Sequence, residues 1–298
     1  MTARQWALIA VLSLFWGGSF FFNAIARPEV PTFTLVLLRV GGGALILILA
    51  ALTLGHPVPR TGREWRDFAV MGALANAIPF VLIVFAQTRI TSGMASVLNA
   101  SAPLWTAMIA HAFTSDDKLT PQRGWGVAIG ITGVATLVGP AALQAKGADT
   151  LGMLAVIAAT MSYGFAGLWG RRFKEVPPIV MSAAQLVCST ALLIPFAVVL
   201  EHPWDQAVPS LPALAAIAAL AVVSTALGFL IFFQIMAEAG ATNAMMVTLL
   251  VPMSATLLGV LVLHEPLTTQ QLAGGLLIGA ALLIIDGRLW RFIQRQRA

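Results

Sequence analysis

Residues 6–25 read WALIAVLSLFWGGSFFFNAI, twenty positions without a charged side chain. A helix of about 20 residues rises about 30 Å, the thickness of a bilayer's hydrocarbon core. The run is too long for the apolar core of a secretory leader and lacks a small-residue cleavage pattern, so it reads as a retained span. The rest of the chain repeats the pattern. Apolar runs fall at 5–26, 31–54, 65–88, 91–113, 121–140, 150–172, 177–199, 208–236, 241–263 and 267–290. The gaps are short and punctuated, as in Arg27-Pro28-Glu29-Val30-Pro31 and Glu201-His202-Pro203-Trp204-Asp205. The expectation is an all-α membrane protein with ten transmembrane helices.

Composition agrees. Of 298 residues, 59% are hydrophobic and 10% charged, with a mean hydropathy of +0.89. A water-soluble domain carries about 25% charged residues. The basic residues sit in gaps between apolar runs and build no aromatic-laced patch, so nucleic acid is not an expected partner. The single cysteine, Cys188, leaves no intrachain disulfide and no thiolate metal cluster. Orientation follows from Lys and Arg. With the N-terminus in the cytoplasm, the cytoplasmic segments hold 13 of them, and the opposite face holds only Arg27, Arg89 and Lys146. Both termini are therefore expected on the cytoplasmic side of a bacterial inner membrane.

The chain also matches itself. At a shift of 147, Ser13-Leu14-Phe15-Trp16-Gly17 faces Thr160-Met161-Ser162-Tyr163-Gly164, Arg27 faces Lys174 and Pro31 faces Pro178. At a shift of 149, Pro103 faces Pro252, Asp116 faces Glu265, Thr120 and Gln122 face Thr269 and Gln271, and Gly126 and Gly130 face Gly275 and Gly279. The order of the matches points to a duplication, with halves at 1–145 and 146–298. Five spans per half is an odd number, so the second half inserts upside down. Inverted repeats place a substrate site at their interface near the midplane, and exchanging the two conformations turns an outward opening into an inward one.

These residues resemble the drug/metabolite transporter superfamily, EamA type. The resemblance rests on Trp16-Gly17-Gly18-Ser19-Phe20, Arg39, Ala102-Pro103-Leu104, Val251-Pro252-Met253 and the stretch from His264-Glu265-Pro266 to Gly274-Gly275, with Asp116-Asp117-Lys118-Leu119-Thr120 as a weaker twin. It covers nearly the whole chain. Within the family the sequence is most similar to the YddG group of amino-acid exporters. That similarity implies efflux of aromatic and other neutral amino acids.

Arg39 is the one charge well inside a span, about 12 Å along its helix at 1.5 Å per residue. It is either a counter-ion for a substrate carboxylate or, the favoured reading, a buried structural residue. No cluster of cavity-facing Lys or Arg suits phosphate esters, and no buried carboxylate suits familiar proton coupling. The cargo expected is therefore neutral or zwitterionic and amino acid-like. Candidate contacts are the aromatics Trp16, Tyr163 and Trp169, which can stack on cargo or simply pack. The amides and hydroxyl of Asn76, Asn99, Gln234 and Thr248 join them, since buried amides must face an interior and either bond cargo or a neighbouring helix. Ser101, Thr225 and Asn243 belong to the same polar group. Pro79, Pro103 and Pro252 are candidate hinges or passive kinks. Gly126, Gly130, Gly275 and Gly279 form small-residue faces expected to pack the last helices of the halves together. No HExxH or serine/histidine/carboxylate set is evident, so no enzyme activity, metal or cofactor is expected, and the protein is expected to be a monomer or weak oligomer.

Overall fold

In the computed structural model, residues 2–56, 59–115, 118–143, 147–173, 175–240 and 246–286 are described, and among them there is helix but no strand. The sequence-based readings of Asp116, Asp117, Lys146, Lys174, Asn243 and the basic residues from Arg288 onward lie outside the described residues. The helices are α1 (Ala3–Ala26), α2 (Thr32–Thr53), α3 (Gly62–Gln87), α4 (Ser92–Asn99), α5 (Ala102–Phe113), α6 (Pro121–Leu143), α7 (Gly147–Gly170), α8 (Pro178–Glu201), α9 (Leu211–Ala239), α10 (Val247–Val262) and α11 (Thr269–Asp286).

Among the described residues six helical stretches are long and apolar enough to cross a membrane: α1, α2, α3, α8, α9 and Asp149–Phe173, which takes in most of α7. Helix α10 and most of α11 are shorter apolar helices. The run expected as one span at 91–113 is two helices, because the chain turns at Ala100 and Ser101. Pro103 sits in the first turn of α5, where its missing N–H costs nothing, and the Ser101 hydroxyl donates to the Leu98 carbonyl at 2.7 Å.

Lipid provides little hydrophobic drive between helices, so packing and polar contacts decide partners. Helix α6 lies along α11, and α2 along α8. Helix α1 packs on α9 and α10, and α7 packs on α3 and on both α4 and α5. Helix α2 also meets α9, α3 meets α8, and α4 meets α10. The expected glycine seam joins α6 to α11, but at other positions. A Cβ on Gly133 would lie 3.0 Å from the Gly274 carbonyl, and one on Gly274 would lie 3.0 Å from the Gly133 carbonyl. Of the four expected glycines, only Gly126 faces the partner helix; Gly130 faces Leu104 and Gly275 faces Val97. The correction is one of helix rotation, which repeat matching does not report.

Among the described residues three helices leave the α register: Ala73–Ala77 of α3, Ala197–Glu201 at the end of α8 and Leu220–Leu227 of α9 are π-helical. In α3 the Ile78 N–H reaches back five residues to Ala73, just before Pro79. Proline has no N–H to give, and Leu74, five residues before it, takes the Ser162 hydroxyl at 2.7 Å instead. Pro79 thus follows directly on a π-helical segment. Pro252, by contrast, lies inside an uninterrupted α10.

Candidate functional site

The central elements α1, α3, α7, α8 and α9 meet through hydroxyl-to-carbonyl bonds between helices. Ser224 on α9 donates to Phe15 on α1 at 2.8 Å, and Ser254 on α10 donates to Ser13 on α1 at 2.7 Å. Ser162 on α7 donates to Leu74 on α3. Ser189 on α8 donates to Gly72 on α3 at 3.0 Å. Each bond satisfies a donor that lipid could not, and fixes the depth at which two helices touch.

Trp16 is half-buried on α1. Its ring lies 5.2 Å from Phe232 of α9, tilted by 38°. Gly228 makes the room: a Cβ there would come within 2.7 Å of the indole Nε1. We therefore expect Gly228→Ala to turn the indole and cut transport several-fold with little change in thermal stability, checked by initial uptake rate and melting temperature.

Asn76 lies in the π-helical segment of α3. It is 0% exposed, and neither its Oδ1 nor its Nδ2 has a hydrogen-bond partner in the protein. Gln185 of α8 is likewise buried with an unpartnered Oε1. Gly72, one turn before Asn76, faces the Gln185 carbonyl and Ser189, so the two amides share the α3/α8 seam. Asn99 is half-buried at the end of α4, beside the break, with its Oδ1 buried and unpartnered. Leaving a polar group unpaired in an apolar interior costs about 1–3 kcal/mol.

Arg39 is buried on α2. Its Nε donates to Thr225 of α9 at 3.1 Å, and its guanidinium lies 3.9 Å over the Phe80 ring of α3. Arg39 thus ties α2, α3 and α9 together. A desolvated cation–π contact is worth about 2 kcal/mol and a hydrogen bond to a charged group about 1.5–3 kcal/mol. Arg39→Gln is expected to lower the melting temperature while changing the half-saturation concentration for cargo less than about threefold, a factor worth well under 1 kcal/mol.

Other expected contacts lie elsewhere. The Trp169 indole donates to the Asp67 carbonyl at 3.0 Å, and Arg172 stacks 3.6 Å over it. It packs with Trp65, Phe68 and Phe173 at one end of the bundle. Gln234 is exposed and donates to Glu238, which also binds Arg4 at 2.7 Å. Thr248 is half-buried near the start of α10, one turn before Pro252. Phe80, Gly228, Ser162 and Gln185 were not singled out by sequence. Of these, only Gln185 carried a signal, as an amide within an apolar run.

The described residues hold no group of three or more His, Cys, Asp or Glu side chains that could bind a metal.

Comparison with known proteins places the whole chain. The EamA-like transporter family model matches twice, at residues 4–139 and 150–286. The uncharacterized transporter YoaV of Bacillus subtilis is 25% identical over 276 residues, covering 91% of this chain and 92% of its own. A Salmonella typhimurium protein named "Probable amino-acid metabolite efflux pump" is 24% identical, covering 95% of each chain. A Streptantibioticus cattleyicolor protein named "Probable terminal-alkyne amino-acid exporter" is 24% identical, covering 97% of this chain and 95% of its own. One solved crystal structure shares the fold with a TM-score of 0.68 at 20% identity, covering 97% of this chain and 99% of that one. A family model spanning both halves, on a chain of apolar helices that meet through buried polar contacts, establishes that this protein belongs to the EamA-like transporter family, whose members are membrane transporters and not enzymes.

Proposed function

We propose that the protein exports amino acid-like solutes, aromatic and other neutral amino acids first, across a bacterial inner membrane by alternating access, as the YddG group does. In this reading the chain has ten spans in two inverted repeats and both termini are cytoplasmic. The observation that carries the reading is an exchange relation among buried contacts. Ser224 of α9 bonds Phe15 of α1, and Ser162 of α7 bonds Leu74 of α3. Phe15 and Ser162 face each other in the sequence repeat, and Leu74 and Ser224 fall at matching depths in the third span of each half. The same contact is thus made twice with donor and acceptor swapped. Gly17 packs on Ala255, and Gly164 packs on Thr106; these residues also correspond at shifts of 147 and 149. The helix partnerships follow the rule too: α1 with α10 matches α7 with α5, and α1 with α9 matches α7 with α3. The π segments of α3 and α9 add compliance at equivalent places in the two halves, while the π turn ending α8 has no counterpart in α2. Such symmetry supports two states that are mirror uses of one set of contacts.

The cargo class follows from the lining proposed around Trp16, Tyr163, Asn76 and Asn99: an aromatic face for a side chain or ammonium, and unpaired amide oxygens for N–H donors. The names of the Salmonella typhimurium and Streptantibioticus cattleyicolor relatives support amino acids. The test is uptake of radiolabelled amino acids into proteoliposomes holding the purified protein, with and without a pH gradient. Saturable uptake of aromatic amino acids that ignores the gradient is expected. No uptake of any amino acid would reject the cargo and turn the search to other metabolites and drugs.

A further inference from the structure

We propose that Glu265 is the latch of the outward gate, holding the short helix α4 against α10 and α11, and that α4 swings about the Ala100–Ser101 turn when the gate opens. The inference rests on the alternating-access reading above.

Glu265 follows α10 and precedes α11. Its carboxylate accepts from the Ser92 N–H at 2.9 Å, the Ser92 hydroxyl at 2.7 Å and the Gly93 N–H at 3.2 Å. These are the first residues of α4, where free N–H groups and the helix dipole favour an anion. The closure does not end there. Gln271 of α11 donates to Thr91 at 3.1 Å, and Gly259 of α10 lies so close that a Cβ would come 3.0 Å from the Ser92 hydroxyl. Arg27, between α1 and α2, has a buried Nε with no partner and feels the Glu265 charge. Burial lowers the Arg27 pKa and Glu265 works against that shift, so the carboxylate also balances a partly desolvated cation.

The two pieces of the broken helix keep different company. Helix α4 packs on α1, α10 and α11 as well as α7, whereas α5 packs mainly on α7 and α6. The turn at Ala100 and Ser101 separates them. Motion there leaves α5 seated on α7 while α4 leaves α10. Under the exchange of halves, α4/α5 and α10 are each other's counterparts, so their contact crosses the symmetry axis. A contact at one end of such a pair is what must open for access from that end.

Two further carboxylates tie the halves at the same end of the bundle. Glu201 at the end of α8 accepts from the Phe33 and Thr34 N–H groups at 2.8 and 2.7 Å, at the start of α2. Its counterpart in the aligned pair Leu54-Gly55-His56-Pro57 and Leu200-Glu201-His202-Pro203 is Gly55. Glu29 accepts from the Ser210 N–H and hydroxyl, both at 2.6 Å, at the start of α9. In the repeat Glu29-Val30-Pro31 matches Glu175-Val176-Pro177, and at the other end Thr61 is capped by Glu64 of its own helix. The cytoplasmic end has ties of its own, Arg4 of α1 to Glu238 of α9 at 2.7 Å and the Trp169 indole of α7 to the Asp67 carbonyl of α3, so what is particular to the outward end is the seating of carboxylates on helix starts of the other half.

The test uses Ser96→Cys, a fully buried α4 position one turn below the clasp, in a Cys188→Ser background. A membrane-impermeant maleimide is added outside right-side-out vesicles. Labelling is expected to be slow in the parent and at least fivefold faster with Glu265→Gln. Equal rates in the two, with unchanged melting temperatures, would overturn the latch. A second measurement does not depend on that variant. Ser92→Cys with Gly259→Cys places two thiols within disulfide reach. Oxidation is expected to cut uptake at least tenfold, with recovery on reduction; full uptake by the cross-linked protein would overturn the gate. Labelling needs no cargo, so a wrong amino-acid assignment would leave its outcome unaffected.

Discussion

Asn76→Ala is expected to move cargo at less than a tenth of the parent rate and to unfold at the same temperature or higher. The two halves of this expectation come from one observation. An amide that is 0% exposed with both polar atoms unpartnered is a cost to the folded state. Removing such a group returns part of a penalty of about 1–3 kcal/mol, against which the lost packing of a small side chain is a similar or smaller term. Residues that cost stability persist where function uses them. Asn76 also stands in the π-helical segment of α3, three residues before Pro79. A tenfold loss of rate is about 1.4 kcal/mol of transition-state stabilisation, the scale of one hydrogen bond to cargo. Initial rates in proteoliposomes and a thermal melt of the same preparation check both halves. Parent-like transport would remove Asn76 from the site. A fall of several degrees would mean that its amide is held by the protein.

Gly17→Val is expected to give the largest loss of stability. A Cβ at Gly17 would overlap the Ser254 hydroxyl and lie 2.9 Å from both the Ala255 N–H nitrogen and the Val251 carbonyl oxygen. Backbone atoms cannot step aside, so α1 and α10 must separate, and the Ser254 to Ser13 bond goes with them. Overpacking of this kind costs roughly 1–3 kcal/mol, and the lost interhelical bond adds about 1 kcal/mol. At about 2–4 °C per kcal/mol the melting temperature falls by about 4–16 °C. Gly164→Val, its repeat counterpart, is expected to cost less. There the tightest neighbour is the flexible end of Ile109, and the Thr106 backbone lies 3.3 Å away. A melt series of the two variants checks the order; equal or reversed losses would contradict the packing description.

Fold class was legible because apolar runs of span length need no periodicity to be recognised, and the helices fall on the expected stretches. The proposed repeat rests on corresponding residues that keep their order along the chain. What the sequence could not give was rotation about each helix axis. Trp169 and Gln234 were expected to face cargo, yet Trp169 bonds the Asp67 backbone and Gln234 bonds Glu238. Both lie near helix ends, where anchoring is the commoner use of such side chains. Phe80 and Gly228 touch Arg39 and Trp16 but carry no sequence signal, because an apolar residue in an apolar run looks like any other. Arg39, a lone charge within a span, hydrogen-bonds Thr225 and stacks over Phe80, contacts a structural role uses. Pro79 follows the π segment of α3 and Pro103 follows the turn at Ala100 and Ser101, whereas Pro252 lies within α10.

The central claim is that two inverted halves carry an amino acid by exposing one site to each side in turn. The most direct measurement is counterflow: proteoliposomes loaded with unlabelled aromatic amino acid are diluted into a trace of the labelled form. Alternating access predicts saturable entry of label that is several-fold faster into loaded than into empty vesicles. Entry that is linear in concentration and indifferent to the internal amino acid would contradict it, and would describe an open pore instead.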